Sequence, residues 1–288
     1  MHVVTWPPER VGLTCFARGC TATMPLARHA AAACALALAL GPLAAAPSAQ
    51  GKPKVRYHQD WAKHPSARYA AMSAEQCRAA LTQRKIAFEP VQRAPGVLAP
   101  VRLMQGVGGV LYRTALPAHQ RAGNPHDVFD CRLALALSDF SRILRAHDID
   151  EVLMFSAWRP PARMWPEGRL ATRHPGGLAI DPYRFIKERV GGGFAEDWLE
   201  VERDFVGRRG APVCGERARP TAGRPCGAGK GAGSGPPADA AARELRSIVC
   251  EAVDQHIFTS ILTPNYDRAH KNHLHLEVTP GVQWHLVR

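Results

Sequence analysis

No C-x-x-C pair occurs anywhere in the 288 residues, which removes the usual cysteine-type structural zinc sites. There is no internal repeat, so a solenoid or propeller is excluded. No apolar run reaches the roughly 20 residues that a membrane-spanning helix needs. Basic residues outnumber acidic ones, with a formal net charge of +12, yet they form no stripe and accompany no recognisable nucleic-acid module. That balance is compatible with an anionic partner such as a cell-wall polymer. An Arg-rich composition that binds nothing specifically explains it equally well.

The longest apolar stretch, Ala30 to about Ala46, follows the basic start Met24-Pro-Leu-Ala-Arg-His29 and is interrupted by Gly41-Pro42. A basic start, a short apolar run and then small residues make a secretory signal peptide over 24–49, which implies a periplasmic or secreted mature protein without an integral membrane span. Residues 1–23 do not resemble the start of such a signal. A gene-model extension, with translation beginning at Met24, accounts for them; an unusually long n-region is the alternative. Of the eight cysteines, Cys15, Cys20 and Cys34 precede the expected cleavage, leaving Cys77, Cys131, Cys214, Cys226 and Cys250. Some should pair in an exported chain, and an odd number leaves one over. Cys214 and Cys226 flank an Arg/Pro/Gly-rich stretch and could staple it.

In the remaining chain, 50–72 reads as an irregular lead-in to a single domain at 73–288. Ser73-Ala-Glu-Gln76 is a capping box and predicts a helix to about Lys85. Residues 97–103 and 107–113 read as strands around a Gly-containing break, a possible hairpin. Leu133, Leu137, Phe140 and Leu144 recur at spacings of four, three and four, the stripe of an amphipathic helix. A buried strand follows at 151–156 and a short helix at 198–206. The segment 208–240, dominated by Gly, Pro, Ala and Arg, reads as a flexible insertion. A helix at 241–256 and strands at 258–262, 274–278 and 282–287 complete an α+β domain with a largely antiparallel central sheet and flanking helices.

Two segments carry the chemistry: His174-Pro-Gly-Gly-Leu-Ala-Ile-Asp181 and His270-Lys-Asn-His273-Leu-His275. On a strand, His273, His275 and Glu277 share one face while Leu274, Leu276 and Val278 share the other, which is the core side. Three ionisable groups on one face suit the lining of a cleft, with His270 folded back over it. In the first segment Pro175-Gly-Gly177 is a turn that lets backbone approach closely. Leu178 and Ile180 point inward from the strand that follows, and Asp181 projects from the opposite face. Two imidazoles and a carboxylate can thus converge, a ligand set suited to a catalytic Zn2+. Singly, each segment is also what an ordinary surface histidine or a turn aspartate looks like.

The pattern His174-x-x-Gly177-x-Ala179-x-Asp181, followed by His273-x-His275, resembles the zinc signature of the LAS metallopeptidases, which include D-Ala-D-Ala carboxypeptidases and murein endopeptidases. More closely, the chain is similar to the bacterial extensin-like C-terminal domain family. A Cys-containing helix at 131–144, Arg159 at a strand end, the His/Asp motif and Pro264-Asn-Tyr266 through Glu277 follow one another in that family's order. The similarity spans roughly Ser73 to Glu277 apart from the insertion. It implies the LAS/hedgehog-type fold, zinc ligands His174, Asp181 and His275, a catalytic His273 with His270 beside it, and Arg159 as the group that meets a substrate carboxylate. An ion pair at a strand end is the other reading of Arg159. The implied activity is zinc-dependent hydrolysis of amide bonds in peptidoglycan peptides. A wall-binding domain with a vestigial zinc, as hedgehog domains illustrate, is the alternative; a disulfide-rich domain without metal is a third. Relatives often carry Tyr-x-Cys-Arg where this chain has Ala157-Trp158-Arg159, so their disulfides do not carry over.

Overall fold

The computed structural model describes residues 60–161, 165–187, 197–215 and 238–288. The expected extension 1–23, signal peptide 24–49, start of the lead-in and middle of the 208–240 insertion lie outside the described residues.

Helix α1 (Pro65–Ala70) stands where an irregular lead-in was expected. Pro65 suits the first helical position, where an N–H has no intrahelical partner, and Ser66, Ala67 and Tyr69 form the helix's buried face. Helix α2 (Ala74–Gln83) opens on the predicted capping box: Ser73 Oγ accepts from the Gln76 N–H at 3.2 Å, and the Gln76 side chain accepts from the Ser73 N–H at 3.0 Å. Strands β1 (Phe88–Pro90), β2 (Pro100–Leu103) and β3 (Leu111–Thr114) come next, then α3 (Ala118–Arg121) and β4 (Phe129–Asp130). The long helix α4 (Cys131–Ala146) and β5 (Ile149–Met154) form the centre. Strands β6 (Ala179–Ile180), β7 (Pro182–Lys187) and β8 (Trp198–Glu200) lead to α5 (Val201–Asp204) and α6 (Ala238–Asp254). The chain closes with β9 (Ser260–Leu262), β10 (His275–Glu277) and β11 (Leu286–Val287).

The α+β composition is as expected, but the single central sheet is not found. The strands form three small sheets, ordered β1-β2-β4, β11-β9-β10-β6 and β3-β5-β7-β8. Most pairs are antiparallel; β3 with β5 and β11 with β9 are parallel. The expected hairpin is also absent, because β2 pairs with β1 and β4 while β3 pairs with β5. The helix predicted at 198–206 divides into β8 and the single turn α5.

Helix α4 explains why the sheet is divided. Its predicted stripe is buried, but so are Ala134, Leu135, Ala136 and Ile143 on its other sides. It packs against α1, α2, α6 and β5, and is therefore the axis of the core and not a layer on one sheet. Asp130 starts it: its carboxylate accepts from the Arg132 N–H at 3.0 Å and from the Arg132 guanidinium at 2.8 and 3.0 Å, all buried. The same carboxylate takes the Leu98 N–H at 3.2 Å, so a buried charge is both paired and hydrogen-bonded.

Two disulfides are present among the described residues. Cys77–Cys131 ties α2 to the first residue of α4. Cys214 bonds Cys250 on α6, which corrects the expected Cys214–Cys226 staple. The stretch before Cys214 is drawn onto α6, since Arg246 donates to the Val213 carbonyl at 2.7 Å and Val213 is buried. Cys226 lies outside the described residues. Crosslinks of this kind are typical of oxidising compartments and are each worth about 2–4 kcal/mol. No helix among the described residues is long and apolar enough to cross a membrane.

Candidate metal centre

Strand pairing sets the site. In β10 Leu276 lies opposite Ile180 of β6, both buried against the core. That register brings His275 beside Asp181 on the other side of the sheet. The loop after β5 is locked to the same segment: the Phe155 N–H donates to the Asp181 carbonyl at 2.9 Å, the Asp181 N–H to the Ser156 carbonyl at 3.1 Å and the Arg159 N–H to the His174 carbonyl at 3.1 Å. His174 opens the expected turn as a 3-10 segment, His174–Gly176. Gly177 closes it at φ +63°, and a Cβ there would lie 2.8 Å from the Asp130 amide nitrogen. The turn thus rests directly on the start of α4, and only glycine lets it do so.

Asp181 Oδ1 is the meeting point. His174 Nε2 lies 3.0 Å from it and His275 Nδ1 3.1 Å, and His273 Nε2 stands further off at 3.8 Å. The three potential ligand atoms of His174, Asp181 and His275 lie within 4.8 Å of one another, and all three residues are buried. Each imidazole is oriented from behind. His174 Nδ1–H donates to the Ala157 carbonyl at 2.8 Å, and His275 Nε2 faces the Glu277 carboxylate at 3.2 Å. With those nitrogens donating, the ring nitrogens turned toward Asp181 Oδ1 carry lone pairs when the rings are neutral. Two lone pairs aimed at a carboxylate oxygen require cationic charge between them, either ring protons or a metal ion. The donor set therefore fits a metal ion, and a rear carboxylate on a ligand histidine is the usual support for one.

Electrostatics agree with the geometry. Burial works to raise the pKa of Asp181, but hydrogen bonds and charge from His174 and His275 outweigh it and hold the carboxyl well below its ordinary range. Burial likewise opposes ionisation of Glu277, yet His275, Thr279 and Arg173 draw its pKa down. His275 is pulled the other way: burial lowers its pKa, but the two flanking carboxylates, Asp181 and Glu277, outweigh burial and raise it. Burial dominates at His273 and pushes its pKa down to about 4, so this imidazole is neutral near pH 7.

All six residues singled out in the sequence occupy one place. The His270 ring centroid is 5.1 Å from that of His273 and 6.0 Å from that of His275. Arg159 pairs with Asp181 Oδ2, and its Nε donates to Ser156 Oγ at 2.8 Å. Its guanidinium therefore already has a carboxylate partner, although half of the side chain is exposed. One expectation needs correction. The strand begins at His275 and not at His273, and its polar face is buried, because His275 and Glu277 satisfy each other.

Other participants escaped the sequence reading. Asp267 accepts from His270 Nδ1 at 2.8 Å and orients that ring, a contact its i, i+3 spacing could have suggested. Phe155, 42% exposed, stacks on Tyr183 at 4.5 Å and meets His273 edge-on at 5.6 Å. Nothing in the sequence marked these aromatics, since their proximity depends on β5 and β7 being neighbours.

The fold and centre define an α+β domain with a buried two-histidine, one-carboxylate group able to hold a metal ion. Among known proteins no family model, curated protein or solved structure matches this chain.

Proposed function

We propose that the chain is an exported zinc-dependent hydrolase of the LAS type, similar to the extensin-like domains, and that it cleaves amide bonds in peptidoglycan peptides. The observation that carries this reading is the convergence of His174, Asp181 and His275 on one point, with neutral His273 beside it. Two histidines and a carboxylate match the three-ligand pattern of catalytic zinc sites, which leave one position for water or substrate. When bound, zinc supplies Lewis acidity toward a carbonyl oxygen and acidifies bound water. The protein's own groups supply the rest. Neutral His273, held at the edge of the group and against Phe155, can accept a proton and return it to a leaving amine. His270, fixed by Asp267, adds a second imidazole on that side. The half-exposed Arg159 offers the remainder of its fork to a substrate carboxylate, while its bond to Asp181 steadies a ligand.

A second reading is a wall-associated binding domain that keeps the metal without turning over substrate. The engagement of Arg159 by Asp181 favours it, because the group expected to meet substrate is already partnered. Incubating the zinc-loaded protein with purified murein separates the two. Hydrolysis predicts new amine ends that vanish in His273→Ala and His275→Ala. Sedimentation with murein and no new amine ends would replace the first reading by the second.

A further inference from the structure

Elsewhere in the domain, three more histidines meet. His64 precedes α1, His256 follows α6 and His285 precedes β11. Their rings form a half-buried stack, with centroids 3.9 Å apart for His64 and His256, 4.4 Å for His256 and His285, and 5.0 Å for His64 and His285. One ring nitrogen from each lies within 4.8 Å of the others. We propose that these three histidines are a second metal site, taking a late first-row divalent ion such as Zn2+ or Cu2+ and clasping the start of α1 to the α6 turn and the last strand.

Three features support the assignment. His285 Nδ1–H donates to the Phe258 carbonyl at 3.0 Å, which leaves its Nε2 lone pair facing inward. That nitrogen lies 2.9 Å from His64 Nδ1, and widening the pair to about 3.3 Å gives two imidazoles on one tetrahedral ion with Zn–N near 2.0–2.1 Å. The backbone is tied at the same place, since the Ser66 N–H donates to the His256 carbonyl at 3.2 Å. His256 is also one of few non-glycine residues in the left-handed region, at φ +50°, so its ring is delivered by a constrained turn. With His285 Nδ1–H on the Phe258 carbonyl, the 2.9 Å contact has His64 Nδ1–H donating to His285 Nε2, and binding exchanges that proton for a metal ion shared by the three rings. Binding asks that the rings rotate about their side-chain torsions until one nitrogen of each converges on the ion, which breaks the hydrogen bond between His64 and His285. Among the described residues no carboxylate belongs to the group, and imidazole-only donors select Zn2+, Cu2+ or Ni2+ over Mg2+ or Ca2+.

The test is metal stoichiometry of the full chain, stripped with chelator, supplied with Zn2+ and measured by elemental analysis after dialysis. The expected count is two ions in the wild type and one in His256→Asn, His285→Ala or His275→Ala. Removing both groups with His275→Ala and His285→Ala should leave none. Asparagine tolerates the left-handed backbone, so His256→Asn keeps the turn if His285→Ala fails to fold. Cu2+ gives an independent readout through Trp61, whose ring lies 4.6 Å from His285. The part of the fluorescence quenching that Trp61→Phe removes should need at least 100-fold more Cu2+ in His256→Asn. Equal metal content and equal quenching in wild type and folded His256→Asn would overturn the proposal. A single ion lost in His256→Asn but kept in His275→Ala would uphold it and sink the buried centre instead.

Discussion

The two histidine groups of this domain are built on opposite principles. The first has a carboxylate at its middle, sits on paired strands and is buried; the second has imidazoles only, sits at element ends and is half-exposed. In the first, every ring nitrogen turned away from Asp181 has a fixed partner, the Ala157 carbonyl or Glu277. In the second, the rings lie against one another. Rigid orientation by surrounding acceptors suits a centre whose geometry must be held for chemistry. A stack of rings held at element ends, His285 by the Phe258 carbonyl and by His64, suits a fastening, whose ion has only to be held.

The sharpest break in this contrast is Asp181→Asn. It removes the shared anion, and the buried group should lose its ion entirely while the exposed group keeps its own; elemental analysis reads both. Loss of both ions together would show that the groups are not independent. Glu277→Gln should weaken metal at the buried group by about 10–100-fold, measured by chelator competition, because it removes the charged partner behind His275. Gly177→Ala disturbs the mounting and not the ligands. At φ +63° and with the Asp130 amide in the way, it should lower stability by about 2 kcal/mol in chemical denaturation. The exposed group should notice only the loss of global stability.

The smallest difference between the two groups is expected from the scaffold they share. Tyr69, on the buried face of α1, is raised by burial and by Asp139 to about 12, and burial raises Tyr112 further still. A tyrosine whose pKa is higher folded than unfolded contributes its full stability below about pH 10. That contribution is lost as the pH climbs through the folded value. Stability should therefore decline between pH 10 and 12 by similar amounts in wild type and in either histidine variant, as followed by circular dichroism.

What could be read in advance follows from range. The capping box at Ser73, the α4 stripe and the turn at Pro175-Gly-Gly177 are local signals, and each marks the element found there. Five of the six residues that meet at the centre were legible because spacing within two short segments carries ligand chemistry, while Arg159 was named only through the family resemblance. Three separate sheets were not legible, since partner choice between strands depends on α4 being enclosed on all sides. Cys214 pairs across the fold to Cys250, a choice that composition around Cys226 could not reveal. The second cluster escaped for the same reason: His64 and His285 are 221 residues apart and belong to no motif.

Asp181 and His275 are 94 residues apart in sequence. At about 5–20 residues per second, a ribosome makes the aspartate roughly 5–20 s before the histidine. Throughout that interval the nascent chain holds an incomplete chelate that no ion can close, and a non-local contact of this kind forms late in folding. An ion at this centre would thus be acquired after synthesis, from whichever compartment the finished chain folds in, and that compartment's metal supply would decide what the centre contains.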